Sequence, residues 1–162
     1  MPTDTLLTPL NEMQREVQRL AREFAANEIA PHAEAWDRDA HFEPSLVGKL
    51  GTLGFLGMLI PEAHDGLGLD TISYLLALEE VAAADASTAV LMSVHNSLPT
   101  QMLLRWGTDE QKRRFLEPMA RGEMLGAFAL SEPDAGSDAA SLACQAVKDG
   151  ADWILTDRKS VV

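Results

Sequence analysis

The stretch FALSEPDAGSD, Phe128 to Asp138, sets the hydroxyls of Ser131 and Ser137 among the carboxylates Glu132, Asp134 and Asp138. Pro133 fixes one backbone angle and Gly136 permits a positive one, so the segment can turn sharply and present backbone amides beside the hydroxyls. That suits a polar ligand with carbonyl or phosphate acceptors. The carboxylates offer a second chemistry, because hard cations take oxygen ligands, although the spacing does not match the calcium loop of an EF-hand. A third reading is structural: an acidic turn between an apolar strand and its successor.

Other residues admit chemistry on weaker grounds. His95 and Asn96 lie in an apolar helix, where a buried, hydrogen-bonded pair competes with a general-base histidine that has no visible partner. His32, His41 and His64 stand at no metal-ligand spacing, so surface positions suffice. Met92 and Met102, with Leu91, Leu98 and Leu103, fit either a core or the wall of an apolar pocket. Lys112, Arg113 and Arg114 form a solvated helix face or a phosphate contact. Cys144 is the only cysteine, which excludes an intrachain disulfide and a multi-cysteine metal site and leaves a structural role. The Gly66-Leu67-Gly68 run lacks the third glycine and the preceding strand of a dinucleotide fingerprint, and reads as a turn.

The elements that must position these residues are mostly helical. Leu10, Met13, Val17, Leu20, Ala21 and Phe24 step by three and four as one apolar stripe, with Thr8 as cap and Pro9 in the first turn. Pro31 should interrupt or restart this helix, whose second piece carries Ala33 and Trp36. A short helix follows Glu43-Pro44-Ser45 and ends at the glycines of GTLGFLG. Asp70 or Thr71 can cap TISYLLALEEVAAAD, and a further helix runs from Ala86 to about Trp106, kinked or divided at Pro99. Both are apolar on most sides and should pack centrally. Thr108 to Gln111 is a capping box for QKRRFLEPMARG. Beyond Gly122 the pattern changes to strands, in MLGAFALSE and in LACQAVKDG and ADWILTD, the last two joined at Asp149-Gly150.

Composition bounds the rest. The 162 residues are 46% hydrophobic and 23% charged, a globular balance without low-complexity tracts. A net charge of -12 repels polyanions and anionic membranes, so nucleic acid is not an expected partner. No apolar run approaches the ~20 residues that span a bilayer. Met1 to Gln14 carries two acids and no basic side chain, unlike a secretory or transit segment, so a cytoplasmic location is expected.

FALSEPDAGSD closely resembles the signature loop of the acyl-CoA dehydrogenase family, flavoproteins that introduce a double bond between the α and β carbons of acyl-CoA thioesters. LGFLGMLIPEAHDGLGLD, EEVAAADASTAVLMSVHNSL and WGTDEQKRRFLEPMARGE support the resemblance in family order, and together they cover nearly the whole chain. SVHNSL followed by FALSEP is similar to the short-chain, butyryl-type branch. The resemblance implies a mainly α fold, with an all-helical bundle domain over residues 1–121 and, over 122–162, an incomplete antiparallel β segment that begins the family's middle β domain.

It also implies roles. Phe128, Ala129, Leu130 and Ser131 would lie along the flavin ring of FAD, with the Ser131 hydroxyl bonding its edge and Gly136 in the same cofactor-holding loop. Ser137 would meet both cofactor surroundings and the thioester arm of the acyl-CoA substrate. Glu132, Asp134 and Asp138 then become loop-shaping residues and no metal is expected. In the family a carboxylate base removes the α proton as a hydride leaves the β carbon for the flavin, while hydrogen bonds to the thioester carbonyl stabilise the enolate charge. That glutamate belongs to the family's C-terminal helical domain, so no catalytic base is expected here. Where the family carries a lysine and then an aromatic residue near the flavin, Lys159 is followed by Ser160 and valines. An electron-transfer flavoprotein as acceptor and a homo-oligomer are implied for full-length members, and little or no turnover for this chain by itself. The competing expectation is a non-catalytic helical module that binds a partner through exposed strands.

Overall fold

The structure, a computed structural model, describes residues 9–160. Contacts divide the chain into two compact units, Met1–Ala127 and Phe128–Val162.

In the first unit, α1 (Glu12–Phe24) starts at Asn11, whose side chain accepts the Gln14 N–H at 2.8 Å while Gln14 Oε1 accepts the Asn11 N–H at 3.0 Å. This reciprocal cap replaces the expected one at Thr8, which lies outside the described residues, and leaves Pro9 ahead of the helix. Val17, Ala21 and Phe24 are buried as the stripe requires, but Met13 is 56% exposed. Gln14 is turned inward in its place, its amide directed to the Asp70 carboxylate at 3.3 Å.

Pro31 restarts the helix rather than ending it. The chain passes through one π-helical stretch, Ala25–Ile29, directly into α2 (Ala30–Arg38), with the proline in the first turn of α2. Proline has no N–H to give and its ring crowds the carbonyl four residues back, so a widened turn just ahead of it absorbs both defects. The same device recurs later. There α7 (Asp109–Gln111), capped by the Thr108 and Gln111 box, runs through a π segment, Lys112–Leu116, into α8 (Glu117–Ala120), which holds Pro118 in its first turn.

Between these, α3 (Ser45–Thr52) ends where Gly54 takes φ 75, and a tight turn buries Phe55, Leu56, Met58 and Ile60. Asp70 caps α4 (Thr71–Ala84) by accepting the Ser73 N–H at 2.9 Å, and Asp85 caps α5 (Ala86–Ser97) through the Thr88 N–H at 2.7 Å. Pro99 divides the expected long helix, opening α6 (Pro99–Trp106). The main core joins α1, α4, α5 and the 53–61 turn, with Phe24 and Phe55 edge to face at 6.2 Å. α4 and α5 are central on one side only: Ile72 and Leu75 are each 52% exposed and Val90 61%. The backbones of Gly51 and Gly122 cross so closely that a Cβ on Gly51 would lie 2.7 Å from the Gly122 Cα.

The second unit contains a 3-10 turn, Ala139–Ser141, and an antiparallel hairpin of β1 (Gln145–Asp149) and β2 (Asp152–Thr156). Its register pairs Val147 with Ile154 and Asp149 with Asp152, so Gly150 at φ 60 and Ala151 make the turn. The strand expected in MLGAFALSE does not form: among the described residues, 124–131 take part in no ladder, because a strand exists only with a partner and none is paired to this run. The fold is thus mainly helical, with a two-stranded antiparallel sheet.

Candidate functional site

Glu132 organises the second unit. Its carboxylate accepts the Ala143 N–H at 2.6 Å, the Cys144 N–H at 3.0 Å and the Lys159 ammonium at 2.6 Å. The ammonium first, then the two amides, hold this carboxyl below the usual glutamate range. Glu132 also closes the proline turn through its backbone, exchanging N–H and C=O bonds with Ala135 at 2.9 and 3.2 Å. Asp138 caps the 3-10 turn by accepting the Ala140 N–H at 3.2 Å and the Ser141 hydroxyl at 2.6 Å. Two of the three loop carboxylates therefore serve the loop's own shape.

With those groups turned inward, other atoms face outward. Phe128 and Leu130 are 38% and 36% exposed, and Ala129, Gly136 and Ser137 are also exposed. Ser131 is half-buried, its carbonyl accepting the Ser160 N–H at 2.7 Å. Gly136 does not take the positive backbone angle that its residue type permits; the Glu132 and Ala135 pairing makes the turn without it, and the space where its side chain would stand is open. The result is a run of apolar side chains with unladdered backbone, followed by two hydroxyls.

Asp134 and Asp138 do not converge as cation ligands. Among the described residues, Glu132, Cys144 and Asp157 bring one ligating atom each within 4.8 Å of one another. The Lys159 ammonium already holds Glu132 and lies 3.2 Å from Asp157, which puts a positive charge where a metal would go. Cys144 is exposed, and its thiol pKa is pushed up by desolvation with the Asp157 charge beside it.

In the first unit His95, Asn96 and Thr100 are fully buried. Asn96 donates to the Phe55 and Met92 carbonyls at 2.8 and 3.0 Å and accepts the Met58 N–H at 3.2 Å, stapling α5 to the 53–61 turn. His95 faces backbone on both ring nitrogens, Met119 O and Gly126 N, each at 3.1 Å. Both ring nitrogens are taken by backbone, and among the described residues no carboxylate orients the ring as it would a general base. Met92 belongs to the core whereas Met102 is 46% exposed, so the two stand in different surroundings. Arg113 and Arg114 are exposed, the latter lying over the Phe115 ring at 5.0 Å. Of the remaining histidines, His32 stacks on Trp36, and His41 and His64 stand 3.6 and 3.4 Å from Glu43 and Glu117. No described helix is long and apolar enough to cross a membrane.

Sequence reasoning missed the Glu132 and Lys159 bond and both partners of His95. Each joins residues more than twenty positions apart, and the available signal was only that a buried ionisable group requires a partner.

A family model described as "Acyl-CoA dehydrogenase, N-terminal domain" matches residues 11–123. The chain is 41% identical over 151 residues to the mitochondrial short-chain specific acyl-CoA dehydrogenase of Bos taurus, covering 93% of this chain and 37% of that protein. It superposes on butyryl-CoA dehydrogenase from Megasphaera elsdenii with a TM-score of 0.83 and 34% identity, over 90% of this chain and 39% of that one. Against a glutaryl-CoA dehydrogenase from Mycobacterium smegmatis in complex with FADH2 the TM-score is 0.86 at 35% identity, over 90% of this chain and 38% of that one. The chain thus spans about two-fifths of the length of the relatives it matches.

Proposed function

Because this chain belongs to the acyl-CoA dehydrogenase family, we propose that it supplies the helical domain and one wall of the flavin and thioester site of an FAD-dependent enzyme that desaturates acyl-CoA thioesters. The observation that carries this reading is the outward run Phe128, Ala129, Leu130, Ser131, in which exposed apolar side chains lead directly to a hydroxyl. Apolar contact bounded by hydrogen-bonding groups is the surface that a flat ring with a polar edge requires. The residues present therefore fit a flavin.

In this reading Phe128, Ala129 and Leu130 bear on the ring and exclude water from its face. The Ser131 hydroxyl and adjacent backbone hold the polar edge, and Gly136 leaves its place open for the ligand. Ser137 bonds the thioester arm of acyl-CoA. Glu132, locked by Lys159 and two amides, keeps the loop in register and takes no part in proton transfer. FAD, when bound, supplies the two-electron acceptor, and the protein supplies orientation. The α-proton acceptor is a carboxylate in the part of the relatives that this chain does not match. Residues 1–121 act as the helical domain and 122–162 as the start of a β domain. In this reading a full-length enzyme of the family works in the cytoplasm as a homo-oligomer and passes electrons to an electron-transfer flavoprotein.

A chimera tests the reading. This chain replaces the matching 37% of the Bos taurus enzyme, and dye reduction is followed with FAD and a series of acyl-CoA thioesters. The chimera is expected to retain flavin and reduce dye, and Ser137→Ala to raise KM more than it lowers kcat. A folded chimera that neither holds flavin nor turns over refutes the proposal. The 162-residue chain assayed by itself is expected to show little or no turnover, and robust activity from it would refute the placement of the base.

A further inference from the structure

His95 is a fully buried ionisable side chain for which the proposed chemistry has no use. Its two ring nitrogens face opposite backbone demands. Met119 offers a carbonyl to Nε2, and Gly126 offers an N–H to Nδ1, each at 3.1 Å. One protonation state satisfies both: a neutral imidazole with hydrogen on Nε2 and a lone pair on Nδ1. A second proton on Nδ1 would set two N–H groups against each other.

The Gly126 backbone is confined as well as bonded. A side chain there would run into the Met119 methyl group and lie 2.7 Å from the Pro99 ring, so only glycine passes between α6 and Met119. Gly126 stands two residues before Phe128 in the chain.

Charged groups on the surrounding elements are engaged elsewhere or point to solvent. Glu80 of α4 pairs with Arg22 and Glu79 is exposed; Asp85 caps α5; Arg105 of α6 is exposed. Arg113 and Arg114 are also exposed and Lys112 is half-buried, Glu117 faces His64, and Arg121 bonds Asp65 and Glu123. None of them governs the ring. Desolvation lowers the His95 pKa, and the Met119 carbonyl opposes it more weakly.

We propose that His95 is a positioning residue that, only as the neutral Nε2–H tautomer, latches the Gly126 backbone and so fixes the last stretch of the helical unit, and that acid releases this latch. Its importance to the Phe128–Ser131 wall rests on the function proposed above; the latch itself does not.

Nuclear magnetic resonance on the flavin-free 162-residue chain tests it. The His95 ring is expected to show the Nε2–H tautomer at pH 8. The Gly126 amide is expected to exchange at least about tenfold more slowly than an unbonded loop amide, and to lose that protection below the ordinary histidine range near pH 6.5. His95→Gln can accept from Gly126 and donate to Met119 without titrating, so it should retain protection with no acid step. His95→Phe should lose it at every pH. A ring protonated on Nδ1 at pH 8, or an unprotected Gly126 amide in the wild-type chain, overturns the latch without any variant having to fold. The same acid step in His95→Gln also overturns it. Failure of the chimera with these results intact would overturn the flavin reading alone.

Discussion

Asn96→Ala should be among the most damaging single substitutions in the helical unit. Asn96 is fully buried and makes three hydrogen bonds, to Phe55 O, Met92 O and Met58 N. The Met92 carbonyl lies four residues back within α5 and keeps its helical partner after truncation. The Phe55 carbonyl and Met58 N–H have no substitute, since both lie in a buried turn. Each buried group left unpaired costs about 1–3 kcal/mol, so the loss should be about 2–6 kcal/mol, centred near 4. Against a total of about 5–15 kcal/mol for a domain, this is a large fraction. At ~2–4 °C per kcal/mol for this size, Tm should fall by roughly 8–16 °C. Urea denaturation followed by circular dichroism measures it directly. Ser97→Ala, one position along at an exposed site, should stay within about 0.5 kcal/mol. If Asn96→Ala costs less than about 1 kcal/mol with an unchanged m value, the turn re-pairs its backbone without the side chain, and the reasoning fails.

Four further outcomes follow from the geometry. Glu132→Gln should abolish an acid-dependent step in amide protection at Ala143 and Cys144. Because the Glu132 carboxyl is held below its ordinary value of about 4.3, its contribution is present above that pH and lost as pH falls through the lowered value; hydrogen exchange across pH 3 to 6 reads the difference. Gly51→Ala forces a methyl group against the Gly122 backbone and should cost about 1–3 kcal/mol in urea unfolding. Gly48→Ala, three residues earlier on α3 where a Cβ meets nothing within 4 Å, should instead stabilise by about 0.5–1 kcal/mol. Asp70→Ala removes the cap of α4 and the acceptor for Gln14, and should lower stability by about 1–2 kcal/mol, seen as a fall in Tm.

What the sequence made legible was local. The Asp70 cap, the Thr108 and Gln111 box and the division at Pro99 each depend on residues within one or two turns and form as read, while the hairpin forms with its turn at Gly150 and Ala151, one residue beyond the expected Asp149-Gly150. Pro31 restarts a helix as read, in the first turn of α2, but the π segment that carries the chain into it leaves no local pattern in the sequence. Phe128 to Leu130 have the composition of a strand without a partner, and composition cannot supply one. At the candidate loop, acidity pointed toward a cation. The ammonium that occupies that role comes from Lys159, 27 residues away, and separation of that kind leaves no periodic trace.

The π segments carry a consequence for how this chain can change. A widened turn holds one residue more than an α turn, and each residue rotates the following face by about 100°. The side of α2 that carries Trp36 is therefore set by the length of Ala25–Ile29 as much as by the residues of α2. A one-residue deletion within that stretch, or within Lys112–Leu116, would leave every downstream side chain intact and turn it about a quarter of the way round the axis. In these two places residue number, more than residue identity, is what the fold reads.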